Sequence, residues 1–334
     1  MSKILIIDDN ADMLLTLEHL LQFYEFDVVK AENGRLGVDA AVNEQPDLII
    51  VDALMPVMNG FEACGILKSQ ATTNQIPVIF LSANYTAPEH RRKGMEMGAD
   101  DYMLKPFNAK ELITKVNSLL HRQRLIASLR EENSQLIGER LTRRQGLQLP
   151  PQDQRLDATT GLLNQQLLGK VLETQLPETP ALAENLSISL TDIDQFSDIQ
   201  EMFGEQTADY VLLKVGNLIL RNSREGDLVF RPQGNRYAIL HPGISEDTAF
   251  NTTSHILNLI RSQPIFDEDF FAIKRSPQRR RYDRQELTLS AGVAGLQSSD
   301  SGPQAMAQAG EALDLAKKTG RNKVVRFRGI SNPL

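Results

Sequence analysis

The chain has 334 residues, of which 41% are apolar and 24% charged, with a net charge of −7 and a single cysteine, Cys64. That length accommodates two compact domains and a linker, and the composition is that of an ordinary globular protein. The acidic balance argues against a general nucleic-acid binder, because phosphate backbones demand an excess of Lys and Arg, and one cysteine excludes an intrachain disulfide.

The first apolar run, Ile4–Ile7, stops at Asp8-Asp9. It is too short for a signal-peptide core or a membrane span, so the expectation is a cytoplasmic protein with no membrane partner. Four further short runs follow: Val28–Lys30, Leu48–Val51, Val78–Leu81 and Tyr102–Leu104. Runs this brief suit buried parallel strands. Between them lie helix-like patterns such as Met13, Leu14, Leu17, Leu20 and Leu21. Five strands alternating with five helices predict a doubly wound α/β domain over residues 1–120.

Residues 121–154 read as a helical linker, rich in Arg, Gln and Glu and stopped by Pro150-Pro151. Within it Ile126, Leu129, Asn133 and Leu136 form a short a/d seam. An Asn at an a-type position fixes register in a paired helix, so the seam suits a parallel homodimer. The alternative is a lone helix packed on its own domain. Residues 155–330 read as a second α/β domain. Its strands are Leu186–Leu190, a hairpin of Leu228–Arg231 and Tyr237–Leu240 around Gly234, and Leu287–Ala294. Its helices are Asp209–Leu220 and Ala305–Lys318, the latter closed by Gly320.

Ligand sites in open parallel sheets lie at the carboxyl ends of the strands. There this sequence places Asp8 and Asp9 after strand one, Asp52 after strand three, Ser82 after strand four and Lys105-Pro106 after strand five. Converging carboxylates call for a hard cation, and Mg²⁺ suits oxygen ligands and a substrate phosphate. A carboxylate can be the nucleophile in phosphoryl transfer, while a hydroxyl and an ammonium neutralise the equatorial oxygens.

These residues resemble the receiver (CheY-like) family over essentially all of residues 1–120. The match includes Met55-Pro56 and Gly60 after Asp52, Ser82-Ala83, and Gly98 to Tyr102 leading into Lys105-Pro106-Phe107. The resemblance implies Asp8, Asp9 and Asp52 as metal ligands, Asp52 as phosphoacceptor, Ser82 as switch hydroxyl, Tyr102 as switch aromatic and Lys105 as phosphate-binding lysine, with a cis Lys-Pro bond. It also implies a sensor histidine kinase or phosphotransfer protein as partner. Phosphorylation then draws in Ser82, lets Tyr102 rotate inward and reshapes the surface around the fourth helix and fifth strand, a local charge change biasing a bistable element.

Residues 155–328 resemble the GGDEF domain of diguanylate cyclases, through Asp157 to Asn164, Asp192 to Phe196, Ser290 to Ala294 and Ala312 to Val324. That family condenses two GTP into cyclic di-GMP and holds two metals. Here the naming hairpin reads Gln233-Gly234-Asn235-Arg236-Tyr237. Asn235 and Arg236 stand where the family has acids, which opposes a hard cation. Gln233 replaces a glycine. Gln200, Ser197 and Glu205 also depart from the pattern, while Asp209 keeps the second base contact. Asp192 and Asp194 remain, and Lys317 and Arg321 are implied phosphate contacts; their alternative is helix-end charge. The expectation is a domain without cyclase activity.

Arg224-Glu225-Gly226-Asp227 precedes the hairpin at the offset of the family's inhibitory cyclic di-GMP site, so Arg224 and Asp227 are candidate ligand contacts. The alternative is a charged turn. Lys274 to Arg284 form a basic insert, read as a solvated loop or a partner contact. Three functions compete: a phosphorylation-switched regulator whose inactive GGDEF domain binds a partner or cyclic di-GMP, an active diguanylate cyclase, and a dimerisation scaffold.

Overall fold

A computed structural model describes residues 1–82, 97–142, 149–176, 185–263, 287–296 and 301–328. The chain divides into two compact units, Met1–Arg124 and Leu125–Leu334.

The first unit is a parallel sheet of five strands in the order β2-β1-β3-β4-β5. The strands are β1 (Lys3–Ile7), β2 (Asp27–Ala31), β3 (Leu48–Asp52), β4 (Val78–Ser82) and β5 (Asp101–Leu104). All five match the predicted runs to within one residue. Side-chain alternation divides each strand between two cores. Ile4 and Ile6 pack with α1 (Ala11–Phe23) and the start of α4 (Ala109–Thr142). Leu5 and Ile7 pack on the other face with α2 (Gly34–Glu44) and α3 (Gly60–Ser69). With both faces covered, the strands read as continuous apolar runs. Asn10, Asn33 and Asn59 cap α1, α2 and α3, and Glu62 completes a capping box on α3. The helix expected between β4 and β5 lies outside the described residues.

The second unit is a mixed sheet of six strands in the order β11-β10-β7-β9-β8-β6. These are β6 (Leu163–Asn164), β7 (Ser187–Ile193), β8 (Leu228–Arg231), β9 (Arg236–His241), β10 (Leu289–Gly295) and β11 (Val324–Arg326). Among the described residues the α-helices are α5 (Gln152–Arg155), α6 (Gln165–Lys170), α7 (Phe196–Phe203), α8 (Glu205–Asn222), α9 (Glu246–Ser262) and α10 (Gly302–Lys318). Strand β7 is buried along its whole length, antiparallel to both neighbours. Gly292 on β10 lets α10 lie flush on the sheet, since a Cβ there would sit 2.1 Å from the Ala309 carbonyl oxygen.

The linker seam is not an open dimer face. Ile137 and Leu141 enter the core of the second unit, and Ile126, Leu129 and Leu136 pack against it. Asn133 is fully buried: it donates to Thr160 O at 2.7 Å and accepts from Asn217 Nδ2 at 2.9 Å. The helix thus packs on its own domain, the other outcome of the heptad spacing. The reason is local satisfaction, because a polar a-position side chain that finds two partners in its own unit needs none from a second chain.

Candidate functional site

In the first unit the strand register assembles the site. Ile7 pairs with Val51, which puts Asp8 beside Asp52. Asp52 pairs with Leu81, and Ser82 with Leu104, so Ser82 and Lys105 follow at the same edge. Lys105 Nζ donates to Asp8 Oδ2 at 2.7 Å and also to Asp52 Oδ1. The other Asp52 oxygen accepts from the Leu54 amide at 2.9 Å. Gly60 packs so closely behind Asp52 that a Cβ would lie 2.1 Å from the Asp52 carbonyl oxygen. The Lys105-Pro106 bond is cis.

Burial raises the Asp52 carboxyl above its ordinary value, against the lowering pull of Lys105. The Lys105 ammonium is raised: burial opposes the charge, and its bonds to Asp52 and Asp8 outweigh that. Ser82 is buried, while Tyr102 is half-buried against the α2–α3 side core. Two carboxylates sharing one ammonium leave the edge net negative, and their hard oxygens fit Mg²⁺ by donor type. Asp9 is exposed, and among the described residues no three acidic, His or Cys side chains are gathered as a ligating cluster. Val57, nearby, holds a φ of 70° although β-branched, a strain that no sequence pattern announces.

In the second unit the end of β7 carries Asp192 and Asp194, both buried. Asp192 Oδ1 accepts from Asn235 Nδ2 at 2.8 Å. Its Oδ2 lies 3.2 Å from Arg236 Nε and 2.6 Å from Lys317 Nζ. Asp194 accepts from Thr288 Oγ1, Ser290 Oγ and the Asn322 amide. Two metal ions do not fit this arrangement, since the carboxylates that would hold them are bonded to cations, an amide and hydroxyls of the chain. Arg231 grips Asp157 and the Gly234 carbonyl, tying the hairpin to the domain's opening segment. Gln200, Ser197 and Glu205 are exposed on α7 and α8, and Arg321 is exposed beyond α10. Asp209 is half-buried, its carboxyl raised chiefly by burial and opposed by Arg231.

Arg224 and Asp227 do not converge outward. Arg224 is exposed, but Asp227 is fully buried. Asp227 Oδ2 accepts from the Arg224 amide at 2.9 Å and stands 3.1 Å from His241 Nδ1. The expectation that both side chains face one ligand meets an Asp227 carboxylate enclosed in the fold, its Oδ1 without a hydrogen-bond partner among the described residues. His241 Nε2 continues to Ser189 Oγ at 2.9 Å. The order Asp-His-Ser is that of a hydrolytic triad, yet all three are buried and no substrate reaches them. Arg140 on α4 bonds the Leu220 and Ser223 carbonyls and lies 3.3 Å from the Asp227 carbonyl. Neither His241 nor Arg140 stood out in the sequence, since each acts through contacts distant along the chain. The basic insert Lys274 to Arg284 lies outside the described residues.

Comparison with known proteins agrees with both units. The family model of the response regulator receiver domain matches residues 4–117, and that of the diguanylate cyclase GGDEF domain matches residues 154–323, just over half the chain. The transcriptional regulatory protein CpxR of Escherichia coli K12 is 38% identical over 122 residues, 36% of this chain. The matched segment spans 50% of CpxR and only 9% of histidine kinase P4 of Formosa agariphila, which is 36% identical over 127 residues, 38% of this chain. Among solved structures, the GGDEF domain of DgcB from Caulobacter crescentus, in complex with c-di-GMP, covers 55% of this chain and 99% of its own, at 23% identity and a TM-score of 0.45. A receiver domain of a histidine kinase from Syntrophus aciditrophicus covers 36% of this chain and 91% of its own, at 36% identity and a TM-score of 0.35. No helix among the described residues is long and apolar enough to cross a membrane. The chain belongs to the GGDEF family and is a response regulator, with an N-terminal receiver domain and an output domain of diguanylate cyclase type.

Proposed function

We propose that this response regulator is phosphorylated on Asp52 by a sensor histidine kinase or phosphotransfer protein, and that its output domain signals by binding rather than by making cyclic di-GMP. The observation that carries the second half is the Asp192 carboxylate, which holds Asn235, Arg236 and Lys317. A family acid that would hold a metal is here the anchor of two cations.

In the receiver, Asp8, Asp9 and Asp52 would hold Mg²⁺, which when bound neutralises charge on the transferred phosphoryl group. Asp52 attacks phosphorus as the phosphorus–nitrogen bond to the donor histidine breaks, and the donor imidazole leaves. Lys105, already bonded to Asp52, stays on the anion that forms. Ser82 moves to the new phosphoryl oxygens, and Tyr102 turns into the space it leaves. A near-complete switch requires about 5.5 kcal/mol of difference between the two states, within reach of a few charge-assisted hydrogen bonds.

The test is direct. Purified protein is incubated with GTP and Mg²⁺, with and without a beryllofluoride mimic of the phosphoryl group, and assayed for cyclic di-GMP. The expected result is none in either state. Turnover that disappears in Asp192→Asn refutes the reading and restores the active cyclase. A phosphorylation-driven homodimer remains compatible with the proposal, through a face other than the buried seam.

A further inference from the structure

At the end of β7 one carboxylate faces two cations. Asp192 receives Arg236 from the hairpin and Lys317 from the last turn of α10, so the group carries a net positive charge. Among the described residues Arg236 is bonded through Nε, with its side chain 46% exposed, so the guanidinium's outer edge faces away from Asp192. Asp194, on the same strand face, is occupied by two hydroxyls and a backbone amide. Residues Lys317 to Lys323 contain four cations and no acid.

We propose that this site binds the phosphate chain of a polyphosphate anion without any divalent metal, the Arg236 guanidinium standing in for the metal charge. The inference rests on the reading of the output domain as non-cyclising. A guanidinium is permanently charged, and its planar fork matches two phosphate oxygens at once. Lys317 adds a point charge beside it. Asp192 fixes both cations before the ligand arrives, so less side-chain freedom is lost on binding. Lys317 and Lys318 also complement the negative end of the α10 dipole. That role does not account for Arg236, which comes from a separate element and converges on the same carboxylate.

Calorimetry on the full-length protein with GTP in EDTA, and then in Mg²⁺, tests the proposal. Inorganic tripolyphosphate forms a second arm. Binding should appear in EDTA and change little when Mg²⁺ is added. Tighter binding of GTP names a nucleotide as the ligand, and equal binding names any polyphosphate; either supports the site. Arg236→Gln should weaken binding about tenfold or more, the worth of a charged hydrogen bond. This exposed change should leave the melting temperature and Asp52 phosphorylation intact, which separates lost binding from lost fold. Binding that requires Mg²⁺, no binding at all, or equal affinity in Arg236→Gln overturns the proposal. Cyclic di-GMP formed in the Mg²⁺ arm instead strikes the non-cyclising reading.

Discussion

Asn133 donates to the backbone carbonyl of Thr160 across 2.7 Å, with both residues fully buried. The same amide accepts from Asn217 on α8. The second half of α4 is therefore part of the output domain's core. Asn133→Ala should strand a buried carbonyl and a buried amide at once, at a cost of about 2–4 kcal/mol. Chemical denaturation of the output domain reads this. A fragment starting at residue 155 should likewise fail to melt cooperatively, whereas one starting at residue 125 should. Equal stability of the two fragments refutes the role given to the helix.

Asp52 is expected to be the sole acceptor when the protein meets a small phosphodonor and Mg²⁺. One phosphoryl group should be added, and Asp52→Asn should remove the label. Lys105→Ala takes away the ammonium that already touches both Asp52 and Asp8, and should slow the reaction about 100-fold, the scale of losing one charge-stabilising donor. Label persisting in Asp52→Asn removes the assignment.

Asp100 gives a pH test of the receiver. Its carboxyl is fully buried and bonded to Lys68, Arg122 and the Val78 amide. Burial raises its pKa, but Arg122 and Lys68 outweigh that and hold it below the ordinary 3.8. A depressed carboxyl contributes stability above its unfolded value, and that stability is lost as pH falls through the folded one. Asp100→Asn should thus lose about 3–5 kcal/mol at pH 7, with the gap to the parent closing as the pH falls below the ordinary carboxyl value of 3.8. Melting curves across this range decide it, and a gap constant with pH contradicts the ion-pair account.

Much of the receiver was legible because its determinants are local. Short apolar runs gave β1 to β5, and the residue after four of the five runs, Asp8, Asp52, Ser82 and Lys105, gave the candidate site. The hairpin substitutions at Asn235 and Arg236 were legible as lost acids, but not as new bonds to Asp192, because that contact joins residues more than forty positions apart. The seam failed for a related reason. Spacing shows that Ile126, Leu129, Asn133 and Leu136 share a face, while only the tertiary fold shows that Thr160 and Asn217 meet it. Helices α5, α6, α7 and α9 and the short strands β6 and β11 were passed over: the short elements carry too few apolar positions to show a period, the two strands pair with partners far along the chain, and α9 sets its buried Ala249, Ile256, Leu257 and Ile260 among Thr, Asn and Ser residues.

Arg224 and Asp227, three residues apart, should respond to mutation in opposite ways. Among the described residues the turn uses the backbone of Arg224, its amide and its carbonyl, and not its side chain, whereas the Asp227 carboxylate faces His241 with no solvent access to either. His241 in turn meets Ser189, and Ser189 meets Thr253 at 2.7 Å, so one buried polar chain links β8, β9, β7 and α9. Removing the buried carboxylate leaves the Arg224 amide without its acceptor and His241 facing an empty space, so Asp227→Ala should cost about 2–4 kcal/mol. For a domain of this size that is a fall of roughly 10 °C in melting temperature. Arg224→Ala, an exposed change, should stay within about 0.5 kcal/mol of the parent. A cyclic di-GMP titration adds a second reading. Any ligand that engages the Asp227 carboxylate must first draw it away from His241, so the nitrogen resonances of His241 should shift on binding. Equal melting of the two variants, or cyclic di-GMP bound through Asp227 with His241 undisturbed, would show that this carboxylate belongs to a ligand site and not to the core.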